Sequence, residues 1–213
     1  MSGEEKRLPV ALLWAVLLLV IGGIVAAYVG TQFGASARAA RLPVLGALPD
    51  FSLTERSGKS VTRGDLLGKV SVVDFIFTSC AAQCPQVTAQ MAKVQSFALP
   101  RWKNVQLVSL TVDPERDTPA ALADYARGFS ADSARWLFLT GSKERLDDLT
   151  RNGFKVASGS KVPVDTSPEA ILHSVSLVLL DAKARIRGYY ESTDPEEMTK
   201  LRADLAALAG SGG

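Results

Sequence analysis

Two segments, VSVVDFIF (residues 70–77) and VQLVSLTV (residues 105–112), are apolar at almost every position. A strand with one wet face alternates apolar and polar residues, whereas a strand covered on both faces does not. These two segments must therefore lie inside a sheet with helices packed on each side, and the sequence between and after them must supply those helices. Periodicity and capping signals predict strands at Val70–Phe77, Val105–Thr111, Trp136–Thr140, Ser174–Leu180 and Arg185–Tyr190. They predict helices at Cys84–Ala98, Pro119–Phe129, Lys143–Asn152 and Pro195–Leu208. Strands alternate with helices until the closing hairpin and helix, so the expected class is α/β with a mixed sheet flanked by helices. Two short strand-like pieces around Ser57-Gly58 precede it, in DFSLTERSGKSVT.

The N-terminus sets a second constraint. No charged residue occurs from Leu8 to Ala37, and the 21 residues of VALLWAVLLLVIGGIVAAYVG, Val10 to Gly30, would span roughly 31 Å as a helix. Pro9 stands where a first-turn proline is tolerated, and Trp14 and Tyr28 lie towards the two ends as interfacial anchors do. The expected organisation is a short cytoplasmic tail (1–9), one transmembrane helix (10–30), a small-residue linker (31–47) and a folded domain (48–210). A cleaved signal peptide is the alternative, because Ala35-Ser36-Ala37 is an A-x-A-like site, but the apolar run is about twice the usual length for one. Lys6 and Arg7 before the span nearly balance Arg38 and Arg41 beyond it, and a short tail before a first helix usually stays inside. That orientation exposes the domain to the outer, oxidising side of a membrane. A net charge of +2, with no basic run interleaved with aromatics, argues against a nucleic-acid partner.

The chain has only two cysteines, Cys80 and Cys84, in SCAAQCP between the first apolar strand and its helix. Ligands in such sheets gather at the carboxyl ends of strands. There the positive end of a helix favours a thiolate, so both thiols should be unusually acidic. Helical residues four apart have Cβ atoms roughly 5–6 Å apart, a separation a metal can bridge and a modest adjustment can close to a disulfide. His173, the single histidine, precedes a strong apolar strand and could reach the same place. Two soft thiolates and one imidazole suit Cu(I), with Cu(II) or Zn(II) also compatible; a structural zinc site normally needs a fourth ligand, which this sequence lacks. Taken alone, C-x-x-x-C supports redox and metal chemistry about equally.

The segments DFIFTSCAAQCP, LTVDPERDTPAAL and HSVSLVLLD, in that order, resemble the SCO/SenC family of membrane-anchored copper chaperones, with its C-x-x-x-C-P, D-x-x-x-D and distant single His. The resemblance runs from about Leu48 to Leu208 and implies a thioredoxin-like fold. It implies that Cys80, Cys84 and His173 hold one copper ion, Cu(I) or Cu(II), for the dicopper centre of cytochrome c oxidase during assembly. The implied partners are the copper-accepting oxidase subunit, an upstream copper donor protein and, through the N-terminal helix, membrane lipid. The implied location is the bacterial inner (cytoplasmic) membrane, with the domain on the periplasmic side.

Three acids have two readings each. Asp113 lies in a turn before Pro114, and Asp117 and Thr118 stand where the helix from Pro119 needs capping oxygens; the resemblance adds that the two acids order the copper loop or dock a partner. Asp74 interrupts its apolar strand six residues before Cys80, either at a strand end that reaches water or in a satisfied structural hydrogen bond, or as a buried acid of the thioredoxin kind that relays protons to thiols. Asp74 favours the rival function, a thiol-disulfide oxidoreductase acting on exported partners through Cys80 and Cys84. The spacing opposes that rival, because thioredoxin-type enzymes place two residues between their cysteines and this chain has three.

Overall fold

The computed structural model describes residues 10–79, 83–155 and 176–211. Eight strands form one sheet: β1 (Gly46–Ala47), β2 (Ser52–Glu55), β3 (Ser60–Thr62), β4 (Val70–Ile76), β5 (Val105–Thr111), β6 (Trp136–Thr140), β7 (Ser176–Leu180) and β8 (Arg185–Glu191). Among the described residues five α-helices accompany them: α1 (Val10–Arg41), α2 (Gln83–Ala98), α3 (Pro119–Gly128), α4 (Lys143–Asp148) and α5 (Pro195–Gly210). The strand order is β1-β8-β7-β4-β5-β6-β2-β3. The centre, β4-β5-β6, is parallel, with Val70 opposite Val105 and Leu107 opposite Trp136; every other pairing is antiparallel. The mixed sheet expected from the sequence is therefore observed.

All seven residues of β4 and all seven of β5 are buried, which explains their lack of polar alternation. Val72, Ile76, Leu107, Trp136 and Leu179 face a core closed by α2, α3 and α5, through Val87, Met91, Leu122, Met198 and Leu201. Val73, Phe75, Val108, Leu110 and Val178 face a second core beneath α4 and the N-terminal strands, through Leu53, Leu66 and Leu146.

Two expectations need correction. The helix expected over Lys143–Asn152 stops being α-helical at Asp148 and continues as a π turn, Leu149–Gly153. The turn brings Gly153 so close to Pro49 and Leu149 that an added Cβ would lie 3.0 and 2.8 Å from them. The expected linker is also largely structured, since α1 continues to Arg41 and Gly46–Ala47 pairs with β8.

The end of α1 is fastened to the domain. Ala39 is buried in the α2/α3/α5 core, and Arg38 Nε donates to Asp204 Oδ1 at 2.6 Å. Asp204 also accepts from the Tyr190 hydroxyl at 2.8 Å. Arg187, itself held by Asp181 at 2.9 Å, donates to the carbonyls of Ala39, Leu42 and Pro43 at 2.8, 2.7 and 3.0 Å. These bonds satisfy acceptors that a helix end leaves without partners of its own. Among the described residues no helix is long and apolar enough to cross a membrane. The backbone of α1 is helical along the whole apolar run.

Candidate metal and thiol site

The site lies where β4 ends and α2 begins. Cys84 is the second residue of α2 and is 5% exposed, which sets its sulfur inside the wall of the sheet's carboxyl end. The first turn of α2 carries no acidic residue, so no carboxylate there offsets the positive end of the helix dipole. Pro85 lacks an N–H only where the helix has no acceptor for one. The Cys84 carbonyl accepts from Thr88 Oγ1 at 2.9 Å, and the same hydroxyl lies 2.9 Å from the Tyr125 hydroxyl, joining the first turn of α2 to α3. The expected ligands Cys80 and His173 lie outside the described residues.

Asp117 faces inwards, not towards the cap of α3 for which it was expected. Thr118 caps α3, accepting from the Ala121 N–H at 3.3 Å. The Asp117 carboxylate, 0% exposed, accepts from the Thr78 N–H at 3.1 Å to each oxygen, from Thr78 Oγ1 at 2.5 Å and from the Thr111 hydroxyl. It thus ties the chain two residues before Cys80 to the end of β5, in a set of charge-assisted bonds. Asp113 has the plain turn role: its carbonyl accepts from the Asp117 N–H at 2.9 Å, and its own N–H donates to Thr111 Oγ1 at 3.0 Å. Its carboxylate lies 3.9 Å from an exposed Arg116, a pair worth little.

Asp74 does not reach water at a strand end. It is 0% exposed on the α2 face of β4; Ser109 Oγ donates to its Oδ1 at 2.6 Å, and Oδ2 is buried without a partner among the described residues. Ser109 Oγ in turn accepts from Trp136 Nε1 at 2.9 Å, making a polar chain across β4, β5 and β6. Burial pushes the Asp74 carboxyl up to about 7, although the Ser109 bond opposes this. The acid is therefore poised to hold or release a proton near neutrality. Among the described residues no three His, Cys, Asp or Glu side chains converge as a metal site would.

The model of the SCO1/SenC family matches residues 45–209. The chain belongs to the SCO1/SenC family. This SCO1/SenC domain superposes on a SCO1/SenC family lipoprotein from Bacillus anthracis with a TM-score of 0.68, at 33% identity, over 79% of this chain and 98% of that one. It is similar to BsSco, described with a disulfide switch and as a member of the Sco family of cytochrome c oxidase assembly proteins: TM-score 0.65, 27% identity, 78% of this chain and 96% of that one. Bradyrhizobium japonicum ScoI, solved with copper bound, shares the fold at a TM-score of 0.58 and 24% identity, over 76% and 99% of the two chains. The thioredoxin-like α/β architecture expected from the resemblance is that of the family.

Residues that sequence reasoning did not assign to this SCO1/SenC site are Thr78, Thr111, Thr88 and Ser109. Thr78 carried a usable signal, a hydroxyl two residues before Cys80. The other three depend on contacts across strands or between helices that spacing does not reveal.

Proposed function

We propose that this protein is a copper chaperone for the dicopper centre of cytochrome c oxidase, carrying one copper ion per chain to the copper-accepting oxidase subunit. Cys80 and Cys84 would supply thiolates and His173 an imidazole, a soft donor set suited to Cu(I) that also accommodates Cu(II). The observation that carries this reading is Cys84 itself, buried at the positive start of α2 beside a loop base that Asp117 fixes, in a chain of the SCO1/SenC family. A thiolate is favoured there. The same pair closing to a disulfide would release the metal, a reading that the switch described for BsSco supports. α1 is read as a single-pass anchor in the bacterial inner membrane with the domain on the periplasmic side, where an upstream donor protein supplies copper.

The test is copper titration of the detergent-solubilised full chain, reduced and oxidised, read by metal content and charge-transfer bands. One ion bound in the reduced form and none in the oxidised form is expected, and equal binding in both would overturn the ligand set. For the anchor, deletion of residues 10–30 should move the chain from the carbonate-resistant membrane pellet to the soluble fraction.

Thiol-disulfide exchange with partner cysteines is a second reading, and the buried Asp74 on the α2 face favours it. His173→Ala separates the two. Lost oxidase assembly with intact disulfide reduction indicates copper delivery, and intact assembly indicates thiol exchange.

A further inference from the structure

On the α2/α5 side of the sheet lies a cavity of about 260 Å³, about two helical turns further along α2 than Cys84. Gln90 and Lys93 of α2 line it together with Ser192, Thr193, Met198 and Arg202 from the end of β8 and from α5. Among the described residues no carboxylate lines it, although acids are close in sequence. Asp194 is occupied at the cap of α5, accepting from the Glu196 and Glu197 N–H groups at 2.8 and 3.4 Å, and Glu197 pairs with Lys200 at 3.4 Å. Glu191 accepts from the Thr193 hydroxyl at 2.9 Å.

Three of the lining side chains, those of Lys93, Arg202 and Ser192, lack partners among the described residues. Neither Lys93 nor Arg202 makes a salt bridge among the described residues, and Arg202 Nε is buried without an acceptor. Ser192 is only 2% exposed, lines the cavity, and its hydroxyl forms no hydrogen bond among the described residues. A buried donor without an acceptor costs free energy that a fitting ligand recovers. A second, more open groove of about 590 Å³ is joined to the first by sharing Lys93 and Arg202, and it adds Ala92, Ser96, Phe97 and Arg101. Arg101 is stacked over the Phe97 ring, 4.8 Å from its centroid, so the groove presents one more cation and an apolar floor.

We infer that the α2/α5 cavity is an anion-binding site that takes a phosphate group, free or as the ester of a larger molecule, through Arg202, Lys93 and Ser192. Arg202 offers a planar fork matched to two phosphate oxygens, Lys93 a point charge, and Ser192 a buried hydroxyl donor. The adjoining groove gives room for the alcohol part of an ester without moving the phosphate.

The test is calorimetric titration of the full chain in nonionic detergent with inorganic phosphate and, separately, with glycerol 3-phosphate. Saturable one-to-one binding of at least one of them is expected. Tighter binding of glycerol 3-phosphate identifies an ester that uses the groove, and equal or weaker binding identifies free phosphate; both outcomes uphold the site. Arg202→Gln should weaken binding about tenfold or more, and the exposed Lys93→Gln, which leaves the fold undisturbed, about threefold to tenfold. Lys200→Gln, two residues from Arg202 and paired with Glu197, should leave it unchanged. Absence of saturable binding to either probe, or binding that survives both Arg202→Gln and Lys93→Gln, overturns the inference.

Discussion

Asp74 and Asp117 are both 0% exposed, and both stand close to the carboxyl end of the central strands, yet they are buried in opposite ways. Asp117 accepts four hydrogen bonds from Thr78 and Thr111, enough to replace the water it gave up. Among the described residues Asp74 has one side-chain donor, Ser109, and its second oxygen has no partner in an apolar core. A buried carboxylate whose two oxygens are both bonded acts as a fastener. One that is half bonded is driven towards its neutral form and acts as a proton reservoir. The same residue type thus gives the loop base rigidity in one case and gives the core beneath α2 a pH-dependent charge in the other.

The strongest way to break this contrast is Asp117→Ala. It strands one buried and two half-buried donors before the cysteines, so thermal or denaturant unfolding should show a loss of about 2–4 kcal/mol. Hydrogen exchange at the Thr78 amide should also rise sharply. A loss below about 1 kcal/mol would mean that Asp117 is not a fastener.

Asp74→Asn should act in the opposite direction. The folded-state value near 7 lies above the ordinary aspartate value of 3.8, so the stability tied to this group is complete below pH 4 and is lost as pH rises through 7. The wild type should lose about 4 kcal/mol between pH 4 and pH 8 through this residue alone. The Asn variant should be more stable by about 3–4 kcal/mol at pH 8 and nearly unchanged at pH 4. An equal change at both pH values would show that Asp74 does not titrate in this window.

Ser109→Ala sharpens the same point on a smaller scale. Without its single donor the Asp74 carboxyl should titrate higher still, and stability should fall by about 1–2 kcal/mol, more at pH 8 than at pH 4. The smallest effect is expected for Asp113→Ala, under about 0.5 kcal/mol in unfolding experiments, because its carboxylate has only an exposed 3.9 Å pair. A larger loss of copper affinity than of stability in that variant would reveal a role in the site that the turn geometry does not require.

The strand centres were legible because complete burial leaves an unbroken apolar signature: β5 and β6 fall on the residues expected for them. β1 was not legible, since Gly46 and Ala47 have no strand preference and pair only because the end of α1 delivers them to β8. The run of Ala, Gly and Ser after residue 30 suggested a linker, yet alanine is the strongest helix former, and Ala39 and Arg38 have partners in the domain that make the helix worth continuing. At the site, the place of Cys84 followed from the strand-to-helix junction alone. Whether Asp117 turned outwards to cap α3 or inwards to Thr78 could not be read from spacing, because both need the same residue at the same position and only the approach of β4 to β5 decides. Asp74 announced itself as the single charge in an apolar strand; its partner Ser109, set opposite it by register, did not.

The fastening of α1 bears on mechanics. A helix of 32 residues is about 48 Å long, and if residues 10–30 occupy the bilayer as proposed, about 16 Å of it stands clear before Arg41. With Arg38 bonded to Asp204 and Arg187 clasping three carbonyls at the top, that remainder is a mast and not a leash. The domain would then ride at a fixed height and bearing above the membrane, so an exchange partner must present its own site at that elevation, and cutting the mast would cost aim as well as address.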